Sequence, residues 1–304
     1  MEGNKVTISI VTKIRPYELR RCLQSIATQS IKAGEVIIVD NDPCQSAREV
    51  YVEFKEILPI KYLVETQPGT PQARNKALAN CETDYCAFID DDCVLDERWM
   101  EAGLKAIKND QHAYIVGTTL LLNDDNIISQ AQHLLSKKWI EEYIGENNKI
   151  KNIDTKNTIL KIILLNKYNL LFDEKFFIPP NPSGEDEDLA MNMNEFKLSG
   201  YYEKRMKVFH EEIDEFWPYI RRAYGRGKSS FLLYKKWRSK GYFQGMDHLK
   251  FFPIILNPFR CLINVFKEIS GGCWYKFKIF VLVYLFDCAH VLGFLSQKRK
   301  GINV

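Results

Sequence analysis

"VTISIVTKIRPYELRRCLQSIATQSIKAGEVIIVD", residues Val6 to Asp40, decides the fold. Its two ends, Val6 to Thr12 and Glu35 to Asp40, are rich in β-branched residues and read as strands. Between them Leu19, Cys22, Leu23 and Ile26 recur at helical spacing, and Pro16 suits a first helical turn, where its missing N–H leaves no partner wanting. The segment is long enough for a right-handed crossover between two parallel strands.

Outward from that unit the alternation continues. "IKYLVE" (Ile60 to Glu65), "PQARNKALANC" (Pro71 to Cys81), "YCAFID" (Tyr85 to Asp90), "DERWMEAGLKAIKN" (Asp96 to Asn109) and "AYIVGTTLLL" (Ala113 to Leu122) read in turn as strand, helix, strand, helix and strand. Such a series predicts an α/β sheet covered on both faces. Ligands in these sheets bind beyond the carboxyl ends of the strands. Thr12, Asp40 with Asn41, the segment after Glu65 and the triple Asp90, Asp91, Asp92 all leave those ends, so one cleft is expected to gather them. From Asn123 to Pro182 the periodicity weakens. "IPPNPSGEDEDL" then reads as a turn running into a helix whose acidic first turn suits the helix dipole.

With 304 residues, 46% of them apolar, the chain can bury a full core. Met1 to Lys5 lead straight into the first strand with no apolar helical run, so no signal peptide is expected and a cytoplasmic location is. The eight cysteines show no C-x-x-C pair, and reduced, mostly buried thiols are expected rather than disulfides or a zinc site. The net charge of +3 hides an asymmetry. Residues 216–304 hold 16 Lys and Arg against three acidic residues, together with 20 of the 38 aromatics, while residues 1–215 are net acidic. A first domain over 1–215 and a basic helical extension over 216–304 follow.

Three adjacent aspartates repel one another. A solvated turn would tolerate them; at the mouth of a ligand cleft, a hard divalent cation bridging to phosphate oxygens offsets the repulsion. "VTISIVTKIRPYELRRCLQSIATQ", "EVIIVDND", "PGTPQARNKAL", "FIDDD" followed by Trp99, and "GEDEDL" together resemble, in order and spacing, the family 2 glycosyltransferases over about residues 5–230. The resemblance implies a GT-A type, Rossmann-like mixed sheet flanked by helices, with residues 216–304 added as a C-terminal helical extension. It also implies inverting transfer of a sugar from a nucleoside diphosphate donor to a glycan or lipid-linked acceptor, of the kind used in surface polysaccharide synthesis, with Mn2+ or Mg2+ as cofactor.

Carried over residue by residue, the resemblance assigns Thr12, Asp40 and Asn41 to the base and ribose and Arg74 to the donor. Asp92 is the expected direct metal ligand, with Asp90 or Asp91 on the ribose or on metal-bound water. Asp186 is the expected base, taking the acceptor proton, with Glu185 or Asp188 orienting it; the alternative is an acidic helix start and nothing more. His210, in "VFHEE", matches a stretch where this fold places a metal- or diphosphate-contacting His, though a lone His is more often structural. Arg222 or Arg226, in "RRAYGRGKSS", would neutralise the diphosphate or simply end a helix in solvent. Two positions depart from the family pattern: Lys13 and Ile14 stand where Tyr-Asn usually precedes Arg-Pro, and Asn41 replaces a second acid. Trp99 is expected to pack, and "NTIL" at Asn157 resembles an acceptor-side segment loosely.

"FKIFVLVYLFDCAHVLGFL", Phe277 to Leu295, is nearly long enough to span a bilayer but is interrupted by Lys278, Asp287 and His290. An interfacial or bundle-packed helix is expected, with peripheral contact at the inner membrane face, and "FFPIILNPFRCLINVF" adds a Pro-broken segment of the same kind. Two rival functions stay open. A sugar nucleotidyltransferase would share the sheet and metal, but its Gly-rich phosphate loop is missing from "TKIRPYEL". A nucleic-acid binder would use the basic tail, yet the tail's aromatics sit in apolar runs rather than between the charges, so no nucleic acid is expected.

Overall fold

The computed structural model describes residues 5–108, 112–177, 183–243 and 258–302. The chain divides into two compact units, the first formed by Met1–Leu122, Trp139–Glu174 and Glu185–Glu211, the second by Asn123–Lys138, Lys175–Gly184 and Glu212–Val304. The second unit thus reaches beyond the C-terminal stretch to take in two internal segments.

In the first unit β1 (Val6–Thr12), α1 (Pro16–Ala27) and β2 (Glu35–Asp40) form the expected crossover. They are followed by α2 (Arg48–Phe54), β3 (Ile60–Val64), α3 (Thr70–Asn80), β4 (Tyr85–Asp90), β5 (Cys93–Leu95), α4 (Trp99–Ile107) and β6 (Tyr114–Leu121). Then come α5 (Ile127–Glu141), which through Lys138 belongs to the second unit, and, again in the first, β7 (Lys149–Ile150), β8 (Thr158–Lys161), α6 (Ile162–Tyr168), α7 (Glu185–Glu195) and β9 (Gly200–His210). The sheet runs β3-β2-β1-β4-β8-β6-β9-β5, with β7 on β9. Its first four strands are parallel, β8 is antiparallel to both β4 and β6, β6 and β9 are parallel, and β5 is antiparallel to β9.

Period-2 alternation assigns each strand residue to a layer. Val36 and Ile38 of β2 pack with Leu19 and Leu23 of α1 and Trp99 and Leu104 of α4 on one face. Their neighbours Ile37 and Val39 pack with Ala73 and Ala77 of α3 and Leu189 and Met193 of α7 on the other. Trp99 is fully buried, and its indole N–H donates to Asn157 Oδ1 at 2.7 Å. Asn157 in turn donates to the Thr118 and Met206 carbonyls at 3.0 and 2.9 Å. It plugs the point where the β6–β9 register shifts between Gly117 and Thr118, and a Cβ on Gly117 would sit 2.2 Å from Met206 O. Both Trp99 and Asn157 therefore hold the sheet together.

The second unit is helical. Its α8 (Phe216–Arg238), α9 (Pro258–Glu268) and α10 (Cys273–Ile302) bury Tyr219, Ala223, Val265, Ile279, Val283 and Phe286 together with Ala131 and Leu134 of α5. Helices α8 and α10 meet backbone to backbone, since a Cβ on Gly227 would lie 1.9 Å from His290 O and one on Gly293 2.0 Å from Tyr224 O. Glu268 accepts from Lys137 and Lys138 at 2.9 and 3.2 Å, and those bonds hold its carboxyl down at about 2. Residues 178–182 of the expected turn and 251–257 of the Pro-broken segment lie outside the described residues. The cysteines whose side chains are described are all free, but Cys44 and Cys273 are exposed rather than buried, one in a loop and the other opening α10.

Candidate active site

The parallel half of the sheet brings β1, β2 and β4 to a common edge in register, Thr12 opposite Asp40 and Val11 opposite Asp90. Beyond that edge the chain makes a tight passage from β4 to β5. Because β5 runs antiparallel to β9 with Cys93 opposite His210, the passage sets Asp92 against His210, and the Glu211 N–H donates to Asp92 O at 3.1 Å.

Two arginines supply the trio with counter-charge, Arg74 to Asp90 and Arg15 to Asp91 and Asp92 together. Asp90 Oδ1 lies 3.2 Å from Arg74 Nη2. Asp91 accepts from Thr12 Oγ1 at 2.7 Å and from Arg15 Nη1 at 3.1 Å. Asp92 Oδ2 lies 2.8 Å from the same Arg15 nitrogen, and its Oδ1 is 3.2 Å from His210 Nε2. Asp91 is almost wholly buried; burial first and then Asp92 push its carboxyl well above the usual range, against the pull of Arg15 and Thr12. Arg15 and Arg74, together with the burial that favours the protonated Asp91, are how the chain keeps three aspartates side by side.

Arg74 also ties this corner to the start of α7. The residue is 5% exposed, and Nη1 binds Glu185 Oε1 while Nη2 reaches Asp90. One side chain therefore links two acidic motifs 95 positions apart in the chain. A buried, forked pair of this kind also fixes rotamers, since removing one partner strands the other charge. Beside it, burial and then Glu185 push the Asp186 carboxyl up to about 7, with Asp154 contributing and Arg74 opposing. Burial likewise raises Glu187 to about 7, although the Tyr143 hydroxyl donates to it at 3.1 Å. Asp188 is fully buried and accepts from Asn192 Nδ2 at 3.1 Å, within its own helix.

Asp40 and Asn41 serve the protein backbone. The Asp40 carboxylate accepts from Asp42 N at 3.1 Å, Ala47 N at 2.9 Å and the Tyr62 hydroxyl at 2.7 Å. Asn41 Nδ2 donates to the Glu65 and Gln67 carbonyls at 2.9 and 2.7 Å, and its Oδ1 accepts from Gly69 N at 2.9 Å. Asn41 thereby staples the loop that launches α3 and its Arg74. Arg222 and Arg226 lie on α8 in the second unit, where Arg226 sits over the Phe286 ring at 5.9 Å.

Two residues of this corner carried no signal of their own in the sequence. Arg15, a single Arg before Pro16, is half exposed at its tip and spans two of the three aspartates. Asp154 lies in the buried loop 152–157, where Lys156 Nζ is 3.6 Å from its Oδ2. The Arg-Pro dipeptide was the available pointer to Arg15; Asp154 had none.

The ligand atoms of Asp90, Asp92 and His210 all lie within 4.8 Å of one another. Two carboxylate oxygens and an imidazole nitrogen at that spacing fit a divalent ion such as Mn2+ or Mg2+.

The comparisons agree with this geometry. The chain is 24% identical over 212 residues to the Glycosyltransferase GlyA of Streptococcus pneumoniae, an alignment covering 69% of this chain but only 29% of that protein, so the chain spans less than a third of that relative's length. It is 23% identical to the UDP-Glc:alpha-D-GlcNAc-diphosphoundecaprenol beta-1,3-glucosyltransferase WfgD of Escherichia coli, over 58% of this chain and 67% of that one. Its fold matches the mannosyltransferase PcManGT of Pyrobaculum calidifontis, solved with GDP-Man and Mn2+, at a TM-score of 0.63 and 13% identity, over 96% of this chain and 87% of that chain. The family model for glycosyl transferase family 2 matches residues 7–168, more than half of the sequence, and the chain belongs to that family.

Proposed function

We propose that this corner transfers a sugar from a nucleoside diphosphate donor to a hydroxyl of a glycan or lipid-linked acceptor, with inversion at the anomeric carbon, in the synthesis of a surface polysaccharide. The observation that carries the reading is Arg74, which joins the Asp90 end of the metal-ligand cluster to the Glu185 start of α7. It is supported by the donor named for the mannosyltransferase neighbour, GDP-Man, and by the lipid-linked acceptor named for the E. coli relative.

In this reading Asp90, Asp92 and His210 hold the divalent ion, which supplies positive charge to offset that developing on the leaving diphosphate. Asp186 takes the proton of the acceptor hydroxyl as its oxygen attacks from the face opposite the diphosphate. A carboxyl raised toward neutrality suits that task, being basic enough to accept a proton and still ionised in a substantial fraction of molecules near neutral pH. Glu185, locked by Arg74, fixes the first turn of α7 and so the direction in which Asp186 points. Thr12 holds Asp91, and Arg15 holds Asp91 and Asp92, until donor phosphate competes for the exposed guanidinium. The diphosphate role of Arg222 and Arg226 rests on the family resemblance, while the bonds that Asp40 and Asn41 make within the protein assign them to shaping the loops around the donor rather than to contacting it.

The test is release of nucleoside diphosphate from a panel of sugar nucleotides, with Mn2+, Mg2+ or chelator present. Release with Mn2+ that chelator and Asp92→Ala both abolish is the expected result. Turnover of a nucleoside triphosphate with a sugar phosphate, giving pyrophosphate instead, would overturn it.

A further inference from the structure

Helix α10 carries an apolar stripe that the fold leaves uncovered. Trp274, Phe277, Val281, Tyr284, Leu292 and Leu295 are all exposed, Trp274 at 69% and Leu292 at 62%. They recur every three or four residues, apart from one double step across Cys288. At 3.6 residues per turn that places them on a single stripe about 30 Å long. The opposite face, with Ile279, Val283 and Phe286, is buried. Scattered apolar side chains on a surface need no explanation, but a continuous stripe of this length marks a contact.

Charge identifies what the stripe meets. Lys276, Lys278, Lys298, Arg299 and Lys300 stand at the two ends of α10, against one acidic residue, Asp287. Asp287 is 7% exposed and so offers the stripe no negative charge, and the other mid-helix polar group, His290, pairs through Nε2 with Ser230 Oγ of α8 at 3.0 Å. Cations at both ends, aromatics along the stripe and no exposed acid between them match the headgroup region of an anionic bilayer.

The same packing argues against a span, although α10 is long and apolar enough over Cys273–Arg299 to cross a membrane. The Gly227 and Gly293 contacts lock α10 against α8, and α8 carries seven Lys and Arg residues. A helix bound to so cationic a neighbour meets hydrocarbon with one face at most, because charges drawn into the bilayer centre are costly to desolvate.

We propose that α10 lies in the plane of an anionic lipid surface, with the Trp274–Leu295 stripe inserted at the boundary between headgroups and acyl chains. This does not depend on the donor or on the chemistry of the first unit. The experiment is flotation of the full chain with phosphatidylcholine vesicles, with and without phosphatidylglycerol, across a salt series. Binding is expected with the anionic vesicles and is expected to weaken as salt rises. Phe277→Glu and Leu292→Glu should each reduce it roughly tenfold while melting at the parent temperature, since both sites are on the surface. Tryptophan emission should shift blue on those vesicles, and Trp274→Phe should abolish that shift.

Four results would overturn the proposal. They are absence of binding, binding that the two Glu variants leave unchanged, resistance to carbonate extraction from cell membranes, and a parent dimer that Leu292→Glu splits without any vesicle binding. The third would make α10 a span, and the fourth would make the stripe a seam between two copies.

Discussion

Strands β2 and β4 leave the sheet at the same edge, and both end in Asp, yet the two ends do opposite work. Asp40 on β2 accepts from two backbone N–H groups of the following turn and from the Tyr62 hydroxyl of β3, donors fixed by the fold itself. The acids beyond β4 are held mostly by side chains, the cations Arg15 and Arg74 and the His210 imidazole, and a guanidinium can exchange one anion for another. Strand position brings both ends to one edge of the sheet; the kind of donor separates a fixed end from an exchangeable one.

Asp92→Ala probes the exchangeable end, where the largest effect is expected. Losing a metal ligand should cut diphosphate release on the order of a thousandfold, about 4 kcal/mol in barrier. Thermal stability should stay within about 1 kcal/mol of the parent, because the same change relieves repulsion within the trio. Arg74→Ala is expected to cost roughly 3–5 kcal/mol of stability in a melting experiment, since it leaves Glu185 buried and unpaired. Arg74→Lys should recover little, as a lysine cannot fork between Glu185 and Asp90. On the fixed end, Asp40→Ala strands three donors and should lower stability by about 3 kcal/mol, with donor affinity per folded molecule retained. If Asp40→Ala instead kept its stability and lost the donor, the contrast between the two ends would be wrong.

The sequence spoke clearly wherever one physical signal repeated. Val6 to Thr12, Glu35 to Asp40 and Tyr85 to Asp90 are strands because β-branched and apolar runs alternate with helices of 3.6 periodicity. The antiparallel half was not readable in the same way. Four-residue β8 and three-residue β5 are too short to show a period, and their places are set by pairing with β4, β6 and β9. In β9 the alternation is broken by the register shift opposite Gly117 and Thr118, so His210 looked isolated until the pairing set it beside Asp92. The acidic motifs could be read because each is dense. Arg15 could not, since its value comes from a fold that brings it across 76 positions to Asp91.

A smaller effect separates the two acidic motifs themselves. With Asp186 raised to about 7 and acting as base, turnover should rise about tenfold per pH unit below that value and level off above it. The stability term has the opposite direction. A carboxyl whose folded value is raised holds its proton more tightly in the folded state, so its contribution declines as pH climbs from the ordinary carboxylate range through about 7. Asp186→Asn should remove the acid limb of the rate and only Asp186's share of the stability change, since Glu187 and Asp91 are raised as well. A rate profile whose acid limb survives in that variant would transfer the base role to another group, with Glu187 first to be examined.

The smallest effect lies at Ile14, which joins the fixed and exchangeable ends. Its φ of 56° puts a β-branched, exposed residue in the left-handed region, with its N–H donating to Ser46 Oγ at 3.0 Å. That conformation costs on the order of 1–2 kcal/mol for such a side chain. It is the bend that carries Arg15 back over Asp91 and Asp92, so the strain is the cost of delivering the counter-charge. Asparagine, which the family pattern carries at this position, tolerates the left-handed region through local hydrogen bonding. Ile14→Asn should therefore stabilise the chain by about 1 kcal/mol, read as a raised melting temperature. Turnover should hardly change, because Arg15 keeps its path. A fall in stability would mean that the exposed isoleucine does more for the loop than its backbone strain takes away.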